Sequence, residues 1–393
     1  MINSNIKFLI IITFIACTAG VSSDIYAPSI PRISNYLGVS ISQIQSNMAN
    51  FMLGLTFSQL LYGPFADIYG RKKPLILGMI IFTIGNILSV YADSILILNI
   101  SRIIQGLGAG ASASLWRSMF RDKYSSTEMA KYGGYLTITI TFVVPMAPLI
   151  GGYLQEIYNW QASFKFMIVY SIICMLLIIL FIPEFHKISN IHKFSFLKIL
   201  KNYLILIFNR IFIGYTLCSL LSFGAFFSWF VIGPVILIQH LGQNPSSFGW
   251  TALIGGGATC LSGYLNGIFV HKYGSENILK LGWILMFISG FLLLFGFYFF
   301  GINLLAISIP VAFFYFGVSF VFPNSFAQAF TPFGHIAGTA AALYGCLQTL
   351  GAVITGYISS YIPNNNQLPL AIIMITVPTL SWLIYKVLKL NKL

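Results

Sequence analysis

Asp24 is a carboxylate inside a long apolar run, and that placement sets its chemistry. An ionised, unpaired carboxylate in hydrocarbon costs several kcal/mol, so Asp24 needs a proton, a cationic partner or a water-filled cavity. Arg102 lies inside another apolar run. If the first run spans residues 8–30 and the fourth spans 96–120 in the opposite sense, each group sits six residues from the same face. At a rise of about 1.5 Å per residue that is about 9 Å, so the two can meet. A guanidinium keeps its charge; pairing with it would hold Asp24 ionised, and loosening the pair would favour proton uptake. Alternation between those states is a proton-coupled cycle, and the rival reading is a fixed ion pair that only locks two helices.

The rest of the chain must hold such groups in a membrane. Its 393 residues are 58% hydrophobic and 7% charged, outside the range of soluble globular chains. Apolar runs long enough to cross a bilayer recur at about 8–30, 43–66, 75–92, 96–120, 132–154, 162–182, 206–238, 248–270, 278–299, 304–326, 337–361 and 368–388, which predicts twelve transmembrane helices. The net charge of +13 is carried by alternate loops: Lys7, Arg71 to Lys73, Arg121 to Lys131, Lys187 to Lys201, Lys272 to Lys280 and Lys386 to Lys392, with little beyond Arg32 and Lys165 between them. Such alternation places both termini in the cytoplasm and argues against a nucleic-acid partner. The long polar interruption at 183–205, with His186, Lys187, His192, Lys193, Lys198 and Lys201, divides a half at 1–182 from a half at 206–393. Part of it reads either as an amphipathic helix at the headgroups or as an ordinary basic loop.

Two segments share a glycine spacing. Gly63-Pro64-Phe65-Ala66-Asp67-Ile68-Tyr69-Gly70-Arg71 turns between the second and third runs, and Gly267 to Gly274 repeats its seven-residue spacing 204 positions later. A duplicated membrane half is the economical reading. The first copy resembles the signature loop between helices two and three of the major facilitator superfamily, with Ile68 where a basic residue is usual; the second has His271 and Ser275 in place of the aspartate and arginine. Asp24-Ile25-Tyr26-Ala27-Pro28 resembles the helix-one motif of the twelve-helix drug:proton antiporters of the bicyclomycin-resistance (Bcr/CflA) branch, and Ser101-Arg102 to Gly108 their helix-four arginine motif. Pro145, Pro148, Gly151 and Gly152 resemble the antiporter motif of helix five. The resemblance implies an all-α membrane protein with the major facilitator fold, and proton coupling through Asp24 and Arg102. It also implies a cytoplasmic gate of Asp67, Arg71 and Asp122, which Arg117 and Arg121 are placed to join. Asp67 is expected to meet the small-residue start of the eleventh helix, Gly338-Thr339-Ala340-Ala341.

Polar and aromatic residues in the apolar runs are the candidates for a substrate cavity: Tyr26, Asn47, Asn50, Gln105, Phe226, Trp229, Asn324 and Gln348. Lipid contact is the rival reading for the aromatic ones. The five cysteines lack paired spacing, and no metal, nucleotide or nucleophile-and-base pattern occurs, so the expectation is no enzyme and no cofactor, with a proton gradient as the energy source. The expected protein is a monomeric exporter of drugs or amphipathic compounds in a bacterial inner membrane. The alternatives are a dedicated exporter of a siderophore or other metabolite, a proton-coupled importer, and a transport-dead receptor.

Overall fold

A computed structural model of the chain describes residues 4–184, 196–333, 336–363, 365–388 and 390. Every regular element among these residues is helical. The first expected span is two helices, α1 (Ser4–Asp24) and α2 (Ile30–Leu37), joined by a single 3-10 turn at Ala27–Ser29. Pro28 and Pro31 lack the N–H groups that would continue a helix, so the span breaks immediately after Asp24. Then follow α3 (Ile41–Tyr69), α4 (Lys72–Val90) and α5 (Ile95–Lys123). The fifth span is broken at Pro145 into α6 (Ser126–Val143) and α7 (Met146–Ile157), and α8 (Gln161–Phe181) follows.

Residues 185–195 of the expected linker, including His186, Lys187, His192 and Lys193, lie outside the described residues. Its end is a helix, α9 (Phe196–Phe208), and the next helix, α10, starts at Arg210 rather than at 206. The reason is a capping signal inside an apolar run: the Asn209 side-chain oxygen accepts the N–H groups of Ile211 and Phe212 at 3.0 and 3.1 Å. At the far end of α10 (Arg210–Pro234) the helix passes into a π-helical turn over Val235–His240. The chain continues with α11 (Pro245–Tyr273), α12 (Ser275–Phe300), α13 (Leu304–Phe330), α14 (Ala337–Tyr361) and α15 (Leu368–Val387).

Of the twelve expected spans, eleven are long and apolar enough to cross a membrane. The exception is α3, 29 residues long, which turns Gln45, Asn47, Asn50, Thr56, Ser58 and Gln59 into the protein. Its polarity is spent on helix neighbours rather than lipid, so an apolarity test undercounts it.

Two helix pairs carry most of the contact between α1–α8 and α10–α15: α3 with α14, and α7 with α11. Small residues let the second pair touch backbone to backbone. A Cβ on Gly249 would stand 2.2 Å from Leu149 Cα, one on Gly152 2.7 Å from the Pro245 carbonyl oxygen, and one on Gly256 2.5 Å from the Pro145 ring. Polar contacts join the same end, where Ser246 N–H donates to Glu156 Oε1 at 2.7 Å and Gln45 Nε2 donates to the Val231 carbonyl at 2.8 Å. Along α3 and α14, Thr56 Oγ1 meets Thr349 Oγ1 at 2.9 Å and the Tyr357 hydroxyl donates to Asn50 Oδ1. At the opposite end the halves part around a cavity of about 540 Å³.

Candidate functional site

Asp24 ends α1 where the helix breaks, and only 6% of it is exposed. Arg102 projects from α5 into the same region and is completely buried. The expected ion pair is not formed: among the described residues the four ion pairs within 4.0 Å are Asp67–Arg71, Arg71–Asp122, Arg121–Asp122 and Glu276–Lys280. Arg102 instead donates through Nη1 to Gln105 Oε1 at 2.7 Å and to the Ser22 carbonyl at 3.4 Å. Its guanidinium lies over the Tyr26 ring at 4.9 Å and the Phe51 ring at 4.4 Å. Nε and Nη2 are buried without a hydrogen-bond partner. Two idle donors on a buried guanidinium are costly to leave unsatisfied.

Gln105 fixes that arginine in turn. Its Nε2 donates to Ser89 Oγ at 2.6 Å and to the Gly85 carbonyl at 3.2 Å, which leaves Oε1 for Arg102. Gly151 of the helix-five motif packs on the break itself: a Cβ there would stand 1.9 Å from the Ile25 carbonyl oxygen. Pro145 and Pro148 start the helix that carries Gly151 and Gly152, one facing the Asp24 break and the other facing α11. The motif therefore touches both the buried carboxylate's segment and the seam between halves.

The signature loop forms most of its expected network. Arg71 binds Asp67 Oδ1 at 2.7 Å and Asp122 Oδ2 at 3.3 Å, and Arg121 joins at 3.7 Å. Arg117 does not join: Nη1 donates to the Ala113 carbonyl of its own helix, and the guanidinium lies 4.5 Å from the Trp116 ring centroid. Nor, among the described residues, does Asp67 form a hydrogen bond or ion pair with the start of α14. Gly338 and Thr339 line the cavity together with Asp67, and the place of a Gly338 Cβ is empty to 4 Å. In the second copy the corresponding contact is neutral, Gln328 Nε2 donating to Ser275 Oγ at 2.5 Å.

Glu184 is a participant the sequence reading missed. Its two carboxylate oxygens accept the N–H groups of Arg71 and Lys72 at 2.8 and 3.3 Å, so it caps α4 from the end of α8. Gly70, at φ +84°, leaves room where a Cβ would stand 2.5 Å from that carboxyl group. Glu184→Gln leaves one neutral acceptor oxygen for the two backbone N–H groups and is expected to cost under about 1 kcal/mol at this exposed position, read as a lower unfolding midpoint in detergent. An unchanged midpoint would show that water caps the helix equally well.

The eight residues expected in a substrate cavity fall into separate clusters, and none lines the 540 Å³ space. Tyr26 and Gln105 hold Arg102. Asn47 and Asn50 both donate to Asn99 Oδ1 at 2.9 Å. Phe226 stacks on Tyr315 at 4.4 Å between centroids, and Trp229 packs on Phe248 at 5.5 Å. Asn324 binds Asn266 at 2.7 Å and Gln348 binds Ser219 Oγ at 2.9 Å. These positions lie in packed parts of the bundle in this conformation.

Comparison with known proteins agrees with this architecture. A model of the Major Facilitator Superfamily matches residues 12–356. Multidrug resistance protein D of Escherichia coli is 26% identical over 370 residues, 94% of this chain and 92% of that one. The bicyclomycin resistance protein homolog of Haemophilus influenzae is 27% identical over 264 residues, 65% of each chain. Among solved structures, a partially occluded inward-open conformation of the xylose transporter XylE from E. coli has a TM-score of 0.76 at 14% identity, covering 97% of this chain and 96% of that one, which is a likeness of fold. With its two helix bundles and a family match over nearly the whole length, the chain belongs to the Major Facilitator Superfamily.

Proposed function

We propose that the protein is a proton-coupled exporter of small organic molecules, drugs or other amphipathic compounds, working by alternating access in a bacterial cytoplasmic membrane. In this reading residues 1–182 and 206–393 form the two moving halves, 183–205 the linker, and both termini and the signature loop face the cytoplasm. A monomer suffices, and a proton gradient supplies the energy without a cofactor. The names of the relatives, bicyclomycin resistance and multidrug resistance, favour the drug class.

The observation that carries the coupling is the open Asp24 and Arg102 arrangement at the break of the first span. Proton loss from Asp24 creates a charge that Arg102 can meet with its idle donors; proton uptake releases it again. Because Gly151 packs on Ile25, movement at the break is passed to α7, whose Gly152 and Leu149 touch α11 of the other half. The cavity on the signature-loop side is then the loading state, and the seal around Glu156, Ser246 and Val231 is the closed exit.

The test uses the purified full chain in proteoliposomes with a pH-sensitive dye inside and a panel of lipophilic drugs and metallophores. One compound moving protons against its own direction of travel, with the signal abolished by a protonophore, is the expected result. Co-directional movement would make the protein a symporter, and compound flux without proton movement would end the coupling claim.

A further inference from the structure

The cavity on the signature-loop side holds a charge imbalance that the gating network does not use. Three guanidiniums line it, those of Arg71, Arg117 and Arg121, against the single carboxylate of Asp67. Arg71 is occupied by Asp67 and Asp122, and Arg121 by Asp122. Arg117 has no carboxylate partner among the described residues; its Nη1 is spent on a backbone carbonyl, and its face lies against Trp116. The carboxylates present are thus already held, while one permanent cation with free donors faces a space open to solvent. Opposite charge is what such a site lacks.

The far wall has a different character. Phe326 and Phe330 stack with centroids 4.0 Å apart and line the cavity from α13, and Gly338 and Thr339 add little bulk beside them. A volume of about 540 Å³ is in the range that encloses a small organic molecule. A body with an aromatic or aliphatic face and one anionic group satisfies both walls, whereas a cationic amphiphile would bring a second unpaired positive charge beside Arg117.

We infer that this cavity selects small amphipathic carboxylates, with Arg117 as the contact for the anion and Phe326 and Phe330 as the wall for the apolar body. The inference deepens the transport reading and rests on it for the cavity's role as the loading site. Arg117 is then a specificity residue rather than a gate residue, which explains why it stands outside the Arg71 network.

The test is binding, so that it separates from proton coupling. The purified full chain in detergent at low ionic strength is titrated calorimetrically with three probes of one shape: naphthalene-2-carboxylate, 2-naphthylmethanol and 2-naphthylmethylammonium. The carboxylate is expected to bind about tenfold more tightly than the alcohol, the size of one charge-assisted contact, and the ammonium weakest. Arg117→Gln should erase the preference and Arg117→Lys should keep most of it. A carboxylate no tighter than the alcohol, an ammonium that binds best, no binding by any probe, or a preference intact in Arg117→Gln overturns the inference. The wild-type series stands without the variants if either misfolds. Failure of proton antiport in proteoliposomes with this anion preference intact would strike the coupling alone.

Discussion

Asp24→Asn is expected to bind substrate as the wild type does and to lose substrate-driven proton movement by about a hundredfold or more, the scale set by removing a proton-transferring group. The amide keeps the size and shape of the carboxyl group and one of its two acceptor oxygens, so the break at Ile25 and the packing of Gly151 on it should survive. What it cannot do is change charge. Arg102 would keep Nε and Nη2 idle in one state and could gain only a neutral acceptor in the other, so the two states no longer differ by an ion pair. Substrate exchange down its own gradient, which needs no proton, should continue. Measured side by side in proteoliposomes, proton flux and exchange flux therefore separate in the variant. Proton flux that persists at the wild-type rate would make Asp24 a structural group. The coupling carboxylate would then have to be sought elsewhere, and Asp67 and Asp122, already held by Arg71, would be poor substitutes.

Particular residues show how far the sequence carried this picture. The depth of Asp24 and Arg102 follows from counting along apolar runs, and the i, i+4 pair of Asp67 and Arg71 follows from helical spacing; Asp122, 51 residues beyond Arg71, is brought to the same membrane face by ending the fourth run there, and family resemblance assigns it to the gate. The stacking of Arg102 between Tyr26 and Phe51 was not legible, because those rings come from two other segments and their meeting depends on how three helices cross. Glu184 left a trace, the first acid after the sixth apolar run, but which helix start it caps is decided by α8 lying beside α4. The amides of α3 were read as cavity candidates from type alone. In the structure Asn47 and Asn50 both donate to Asn99, and Gln45 reaches Val231 of the other half. Composition identifies a residue that must find a partner in the bilayer; it does not say whether the partner is a ligand or a neighbouring helix.

That seam between halves gives the second large effect. Gly249→Ala is expected to force α7 and α11 apart and shift the protein away from the conformation described here. The new Cβ would stand 2.2 Å from Leu149 Cα and 2.6 Å from Leu149 N, both backbone atoms that cannot rotate aside. Overpacking of this kind costs about 1–3 kcal/mol, which is about a 5- to 150-fold change in the ratio of two conformations if the strain is present in only one of them. It is present in only one if the crossing is the closed exit of an alternating cycle. Spin labels at Tyr36 and Asn244, at the sealed end on opposite halves, should report a longer distance in Gly249→Ala by pulsed EPR. Gly108→Ala is the control, because its Cβ would meet the Phe82 backbone nitrogen at 2.3 Å within one half, away from this crossing. It should destabilise the fold without lengthening that distance. If both variants lengthen it, overpacking anywhere loosens the bundle and the crossing has no special part in closure. If neither does, α7 and α11 stay together through the cycle, and the exit must lie along α3 and α14, where Thr56, Asn50 and their partners Thr349 and Tyr357 would have to separate.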